Sequence, residues 1–204
     1  MPTILLFIYV HYIWGPFLTL AQLLVILYPG VLIFWLIMHT NIERWRRIGK
    51  KAYWIAAIGW PLTGAPLIYF REETFPMPYR FPGPFSALGL VPLLLTFVVA
   101  KWARNRISLR TLVGLPELAP HKNKQPLIDS CIYAKTRNPV YLSHWLLLLS
   151  AAAITGFVAN WILFALDCVV LPLMIRAEEH ELLKRYGTEF AAYMRRVPRF
   201  FPGW

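Results

Sequence analysis

Two stretches in the second half of the chain hold side chains that could do chemistry. The first is "CIYAKTRNPVYLSHW", residues 131–145, and the second is "RAEEHELLKRYGTEFAAYMRRVPRFFP", residues 176–202. In the first, Pro139 suits the opening turn of a helix, where its missing N–H needs no partner. Asn138 before it is a favoured N-cap type. The free N–H groups of that turn, with the positive charge of Arg137, make a mouth that favours an anion. In the second, Glu178 and Glu179 supply adjacent carboxylates that can accept from donors or take a proton. The residues between are two apolar spans, and a tight hairpin brings both of its open ends side by side. Arg137, Asn138 and Tyr141 are therefore expected beside Glu178 and Glu179. The same residues also fit ordinary interface chemistry, with Tyr141 and Trp145 as belt aromatics and the two acids complementing a helix dipole.

Other candidates stand apart. Asp167 lies midway along an apolar span, where an acid either carries a function or hydrogen-bonds a neighbouring helix. His144 and His180 lack metal-ligand partners at sensible spacing, and His11, His39 and His121 are isolated. Cys131 and Cys168 suggest neither a disulfide framework nor a metal site. The chain shows no glycine-rich phosphate loop, no HExxH and no GxSxG. The expectation is thus of no metal, and the basic residues, set in blocks beside apolar spans, point to a membrane and not to nucleic acid.

The elements that must hold these groups are membrane helices. The 204 residues are 58% hydrophobic and 15% charged, with a mean hydropathy of +0.50, against roughly 25% charged in soluble domains. One domain, 1–204, is expected, all-α, as a polytopic bundle of about five transmembrane helices near 17–38, 52–70, 85–103, 139–157 and 160–176. A short apolar helix at 3–14 precedes them, and a cytoplasmic amphipathic helix follows. Leu182, Tyr186, Phe190, Tyr193 and Met194 give that last helix an apolar stripe, for packing on the protein or for covering a site. The N-terminus lacks the basic region of a signal peptide. The net charge of +11 is carried in blocks beside the spans: of 21 Lys and Arg residues, all but Arg71 and Arg80 fall on one side of a five-span topology. The positive-inside rule assigns that side to the cytoplasm, of a bacterial, archaeal or endoplasmic-reticulum membrane. Anionic membrane lipids are its simplest partners.

The two clusters resemble the integral membrane methyltransferases of the isoprenylcysteine carboxyl methyltransferase and phospholipid methyltransferase type. These carry an Arg-His-Pro-x-Tyr motif, a hydrophobic hairpin, a Glu-Glu pair and a C-terminal pattern of Tyr, Val, Arg and Pro. Here the motif reads Arg137-Asn138-Pro139-Val140-Tyr141, with Asn for His. The pair is Glu178-Glu179, and the tail reads Tyr186-Gly187, Phe190, Tyr193, Val197, Arg199 and Pro202. The resemblance covers residues 131–202. It implies a catalytic core at 104–204 that binds S-adenosylmethionine through Arg137, Asn138, Pro139, Tyr141, Leu142, Glu178, Glu179 and Tyr193. It also implies methyl transfer, at the cytoplasmic face, to a carboxylate or amine headgroup of a lipid or of a prenylated small molecule or peptide. Arg176, Arg196 or Arg199 would hold a carboxylate acceptor, and Glu178 or Glu179 would serve as base for an amine. The alternatives are a membrane reductase and a non-enzymatic transporter or lipid-binding protein in which Asp167 carries an ion or proton.

Overall fold

Residues 15–40 contain no Asp, Glu, Lys or Arg, and they form one 26-residue helix, α1 (Gly15–Thr40), that continues through Pro29. The computed structural model describes residues 15–74, 84–122 and 125–201; the expected helix at 3–14 and Pro202 lie outside them. α2 (Ile42–Ile48) is a short basic helix, followed by a turn of 3-10 helix at Gly49–Lys51. α3 (Ala52–Tyr69) contains Pro61 and Pro66. After single turns at Arg71–Thr74 and Pro84–Leu88 comes α4 (Leu90–Arg104). The basic segment that follows holds single turns at Leu109–Leu112, Leu115–Leu118 and Cys131–Ala134. α5 (Pro139–Thr155), α6 (Val158–Tyr186) and α7 (Thr188–Arg196) complete the chain. Among the described residues there is no strand.

This is an all-α membrane helix bundle. Gly15–Thr40, Ser86–Arg104 and Val158–Tyr186 are long and apolar enough to cross a bilayer, and Pro139–Thr155 is a shorter apolar helix. Their outward faces carry Leu23, Leu27, Ile33, Phe97, Ile162, Leu166 and Val169, all exposed. A surface this apolar suits hydrocarbon rather than water.

Small residues set how closely the helices approach. A Cβ on Gly30 of α1 would meet Thr63 Oγ1 at 2.7 Å, and one on Gly64 of α3 would meet Ile26 at 3.0 Å, so α1 and α3 pack antiparallel through reciprocal glycines. Gly89 approaches Ile154 of α5 in the same way. Asn160, fully buried, donates to the Ala21 carbonyl at 3.0 Å and ties the start of α6 to α1. Gly156, at φ +68°, closes α5 and turns the chain into α6.

Side-chain pairs give the directions. Tyr28 meets Asp167, and His39 meets Glu178, so α1 and α6 run parallel. Tyr141, at the start of α5, also reaches Glu178, so α5 runs antiparallel to both. The ends of α1, α4 and α6 and the starts of α3 and α5 therefore gather at one end of the bundle. Tyr53 donates to the Val113 carbonyl there at 2.6 Å, and Arg106 reaches Cys131. α6 continues ten residues past the expected end of its span, because polar residues alone do not stop a helix. It ends only at Gly187, with φ +56°.

Candidate functional site

The hairpin brings its two tips together as its length requires. Arg137 donates to Glu179 through Nη2 at 2.6 Å and Nε at 3.2 Å, and to the Met194 carbonyl at 3.0 Å and the Val197 carbonyl through Nη1. All three guanidinium nitrogens are thereby engaged. Arg199 grips the same carboxylate, at 2.6 Å from Nη2, and this hydrogen bond holds its guanidinium pKa above the usual value. Glu179 is thus a buried acid held between two arginines, the arrangement in which a buried charge is tolerable.

The C-terminal segment reaches the residues that open α5. The backbone N–H groups of Arg137 and Asn138 donate to the carbonyls of Pro198 (2.9 Å) and Arg199 (3.3 Å), and the Thr136 hydroxyl also donates to Arg199 (2.6 Å). Asn138 is the N-cap residue of α5 without a side-chain cap bond, and its amide donates instead to the Arg199 carbonyl at 3.3 Å. The C-terminal segment is laced onto the start of α5. The Arg137 guanidinium and the N–H groups of Arg137 and Asn138 are thus bonded to the chain's own groups.

Glu178 faces the other way. Its Oε2 accepts from the Tyr141 hydroxyl at 2.7 Å and lies 3.8 Å from His39 Nε2. It opens onto a cavity of about 190 Å³ also lined by Tyr28, Trp35, Glu117, His144 and Tyr193. Trp35 stacks on the His39 ring at 5.4 Å. Glu117, in the turn Leu115–Leu118, is buried, and its Oε2 has no hydrogen-bond partner among the described residues; nor has His39 Nδ1. Burial, and then the nearby Glu178 carboxylate, push the Glu117 pKa up to about 7. Neither Glu117 nor Glu178 forms an ion pair with Lys or Arg among the described residues. The third acid of this region, Glu181, is held by Arg185 at 2.8 Å and by Arg46.

Of the residues expected at the site, Arg137, Asn138, Tyr141, Glu178, Glu179 and Tyr193 line this cavity. Leu142 instead faces an apolar slot with Trp145, Cys168 and Phe200, and Pro139 is buried in the first turn of α5. Arg176 is exposed, and Arg196 pairs with Asp129 on the surface at 3.1 Å. The apolar stripe is split between two helices and covers the site: Leu182 and Tyr186 at the end of α6 and Phe190 and Tyr193 of α7 all line the cavity, and the Tyr193 hydroxyl donates to the Tyr133 carbonyl at 2.7 Å. The sequence reading missed His39, Glu117, Trp35 and Tyr28. One signal could have found two of them. Tyr28 and His39 are eleven positions apart, as are Asp167 and Glu178. Eleven residues are about three turns, so each pair shares one helix face.

The chain is 34% identical over 116 residues to the nickel-cobalt-cadmium resistance protein NccN of Alcaligenes xylosoxydans xylosoxydans. It is 34% identical over the same length to the cobalt-zinc-cadmium resistance protein CzcN of Cupriavidus metallidurans. Each match covers 56% of this chain and 48% of the relative, so the chain spans about half the length of the curated relatives it matches. No family model matches it, and no solved structure does.

These relatives correct the sequence reading. They are named for metal resistance, and they overturn the assignment to the isoprenylcysteine carboxyl and phospholipid methyltransferases. With that assignment fall methyl transfer to a lipid or prenylated acceptor, the enzyme class, and the expectation that no metal is involved.

Proposed function

We propose that this chain is a non-enzymatic, multi-pass membrane protein of divalent metal-ion resistance that takes a cation into its aromatic cavity. The observation that carries the reading is a reversal of charge. Lys and Arg surround the end of the bundle, yet inside the cavity Glu117 and Glu178 have no cationic partner among the described residues. The names of the two relatives supply the class of cation: nickel, cobalt, zinc or cadmium.

His39 and Glu178 are suited to begin the ion's coordination. Ligand atoms about 2.1 Å from one ion stand up to about 4.2 Å apart, and these two stand at 3.8 Å. Imidazole nitrogen and carboxylate oxygen are acceptable donors to these borderline metals. Among the described residues no three His, Cys, Asp or Glu side chains gather to hold a metal ion. Water therefore completes the shell, as suits an ion that must leave again. We assign the chain five crossings, with the basic end in the cytoplasm, because that arrangement puts nearly all Lys and Arg on one side, as the positive-inside rule favours.

The test is metal challenge. Cells producing the chain should tolerate more cobalt, nickel, zinc or cadmium than cells without it, and Glu178→Gln and His39→Ala should abolish the gain at equal protein level. Equal tolerance with and without the chain, for all four ions, overturns the reading.

A further inference from the structure

Three turns from Glu178 along α6 lies an acid that the cation reading does not use. Asp167 is wholly buried. Its Oδ1 accepts from the Tyr28 hydroxyl at 3.2 Å, and its Oδ2 has no hydrogen-bond partner among the described residues. No Lys or Arg pairs with it there. A carboxyl so placed is not a structural clamp of the kind Glu179 makes.

The tyrosine that holds it has a second face. Tyr28 lines the cavity, and its ring meets the His144 ring edge-on at 6.1 Å; His144 lines the cavity too. The parallel helices therefore carry two rungs: His39 with Glu178 near the basic end, and Tyr28 with Asp167 about 16 Å deeper. Among the described residues, the hydrogen-bond partner of Asp167 is Tyr28, a residue that lines the cavity. The titratable groups facing it are Tyr28 from α1, with His144 of α5 behind that ring.

We propose that Asp167 is a proton-carrying site, loaded from the cavity through the Tyr28 hydroxyl, and that it couples proton movement to the passage of the cation. The step is balanced. A hydronium in the cavity gives a proton to the Tyr28 oxygen, leaving water, while the proton already on that oxygen passes to Asp167 Oδ1. The tyrosine ends neutral and the aspartic acid protonated; the reverse step unloads it. The coupling rests on the cavity being the cation's route, but the protonation of Asp167 does not.

Infrared spectroscopy of the full-length protein in lipid vesicles, without metal, tests it. The carbonyl-stretch band of a buried carboxylic acid should appear in the wild type and be missing in Asp167→Asn. On transfer to heavy water the band should shift at least tenfold more slowly in Tyr28→Phe, which keeps the ring and the acid. No Asp167-dependent band at any pH, or equal exchange rates in wild type and Tyr28→Phe, overturns the proposal. If Asp167→Asn does not fold, the exchange rate in Tyr28→Phe decides alone. Because no metal is added, a failed relay leaves the metal-challenge result standing, and a failed cation reading leaves this one readable.

Discussion

His39 of α1 and Glu178 of α6 face each other at the basic end of two parallel helices, with imidazole Nε2 3.8 Å from carboxylate Oε2. Tyr141, from the antiparallel α5, donates to the same oxygen at 2.7 Å. Side chains from three helices thus meet on one carboxylate. Tyr141→Phe removes one hydrogen bond from it at nearly constant volume. The expected cost is about 1–2 kcal/mol of stability, read as a lowered thermal midpoint in detergent.

Adjacent Glu178 and Glu179 should behave differently. Glu179→Gln takes the partner from Arg137, whose side chain is 8% exposed, and leaves a buried cation uncompensated. A loss of roughly 3–5 kcal/mol is expected. Arg199→Ala, at a side chain 32% exposed, should cost about 1 kcal/mol, since Arg137 still neutralises the acid. Glu178→Gln removes no Arg or Lys partner and should cost less than Glu179→Gln. Thermal unfolding of the three variants checks the order.

Stability should depend on pH through Glu117. Its folded pKa is raised from 4.5 to about 7, first by burial and then by Glu178. For an acid raised in the folded state, the native chain binds more protons than the unfolded one between those values. Stability is therefore greatest at the acid side of that window and falls as pH rises through it. The loss amounts to roughly 3 kcal/mol. Glu117→Gln should flatten this dependence, as measured by thermal midpoints at about pH 5 and about pH 8.

Much of this site was legible because helices are stiff rulers. Spacing alone placed Arg137 and Tyr141 beside the Glu pair, since a two-span hairpin leaves its ends no other place. It could not say which acid each would take. That depends on the C-terminal segment, whose carbonyls at Pro198 and Arg199 accept from the residues that open α5. Arg176 looked equivalent to Arg199 by charge, yet the helix turns it outward. His39 and Glu117 were missed for a different reason. They come from α1 and the basic segment, and their approach to Glu178 is set by packing between helices, which no single periodicity reports.

A glycine links the basic segment to the cavity. Gly114 has φ +76°, and a Cβ there would lie 2.6 Å from the Trp35 ring. Gly114→Ala therefore strains the backbone and pushes the indole that stacks on His39. The expected cost is about 1–3 kcal/mol, with weaker metal binding although no ligand is altered. Metal titration of the variant, compared with wild type, checks this.

The sidedness can be read with the two cysteines. Cys131 is exposed beside the basic end, and Cys168 is exposed on the apolar part of α6, next to Asp167. In sealed vesicles a membrane-impermeant thiol reagent should label Cys131 from the cytoplasmic face only. Cys168 should react with an apolar reagent and resist the impermeant one from both faces.

A divalent cation held in the cavity by His39 and Glu178 should be visible in the spectrum of bound cobalt. Titration of the purified protein with cobalt should give saturable nitrogen-and-oxygen ligand-field bands with one cobalt per chain, competed by zinc and cadmium, and lost in both His39→Ala and Glu178→Gln. No saturable cobalt spectrum, or one unchanged in those two variants, would contradict it, as would S-adenosylmethionine binding in the cavity of a protein that binds no metal.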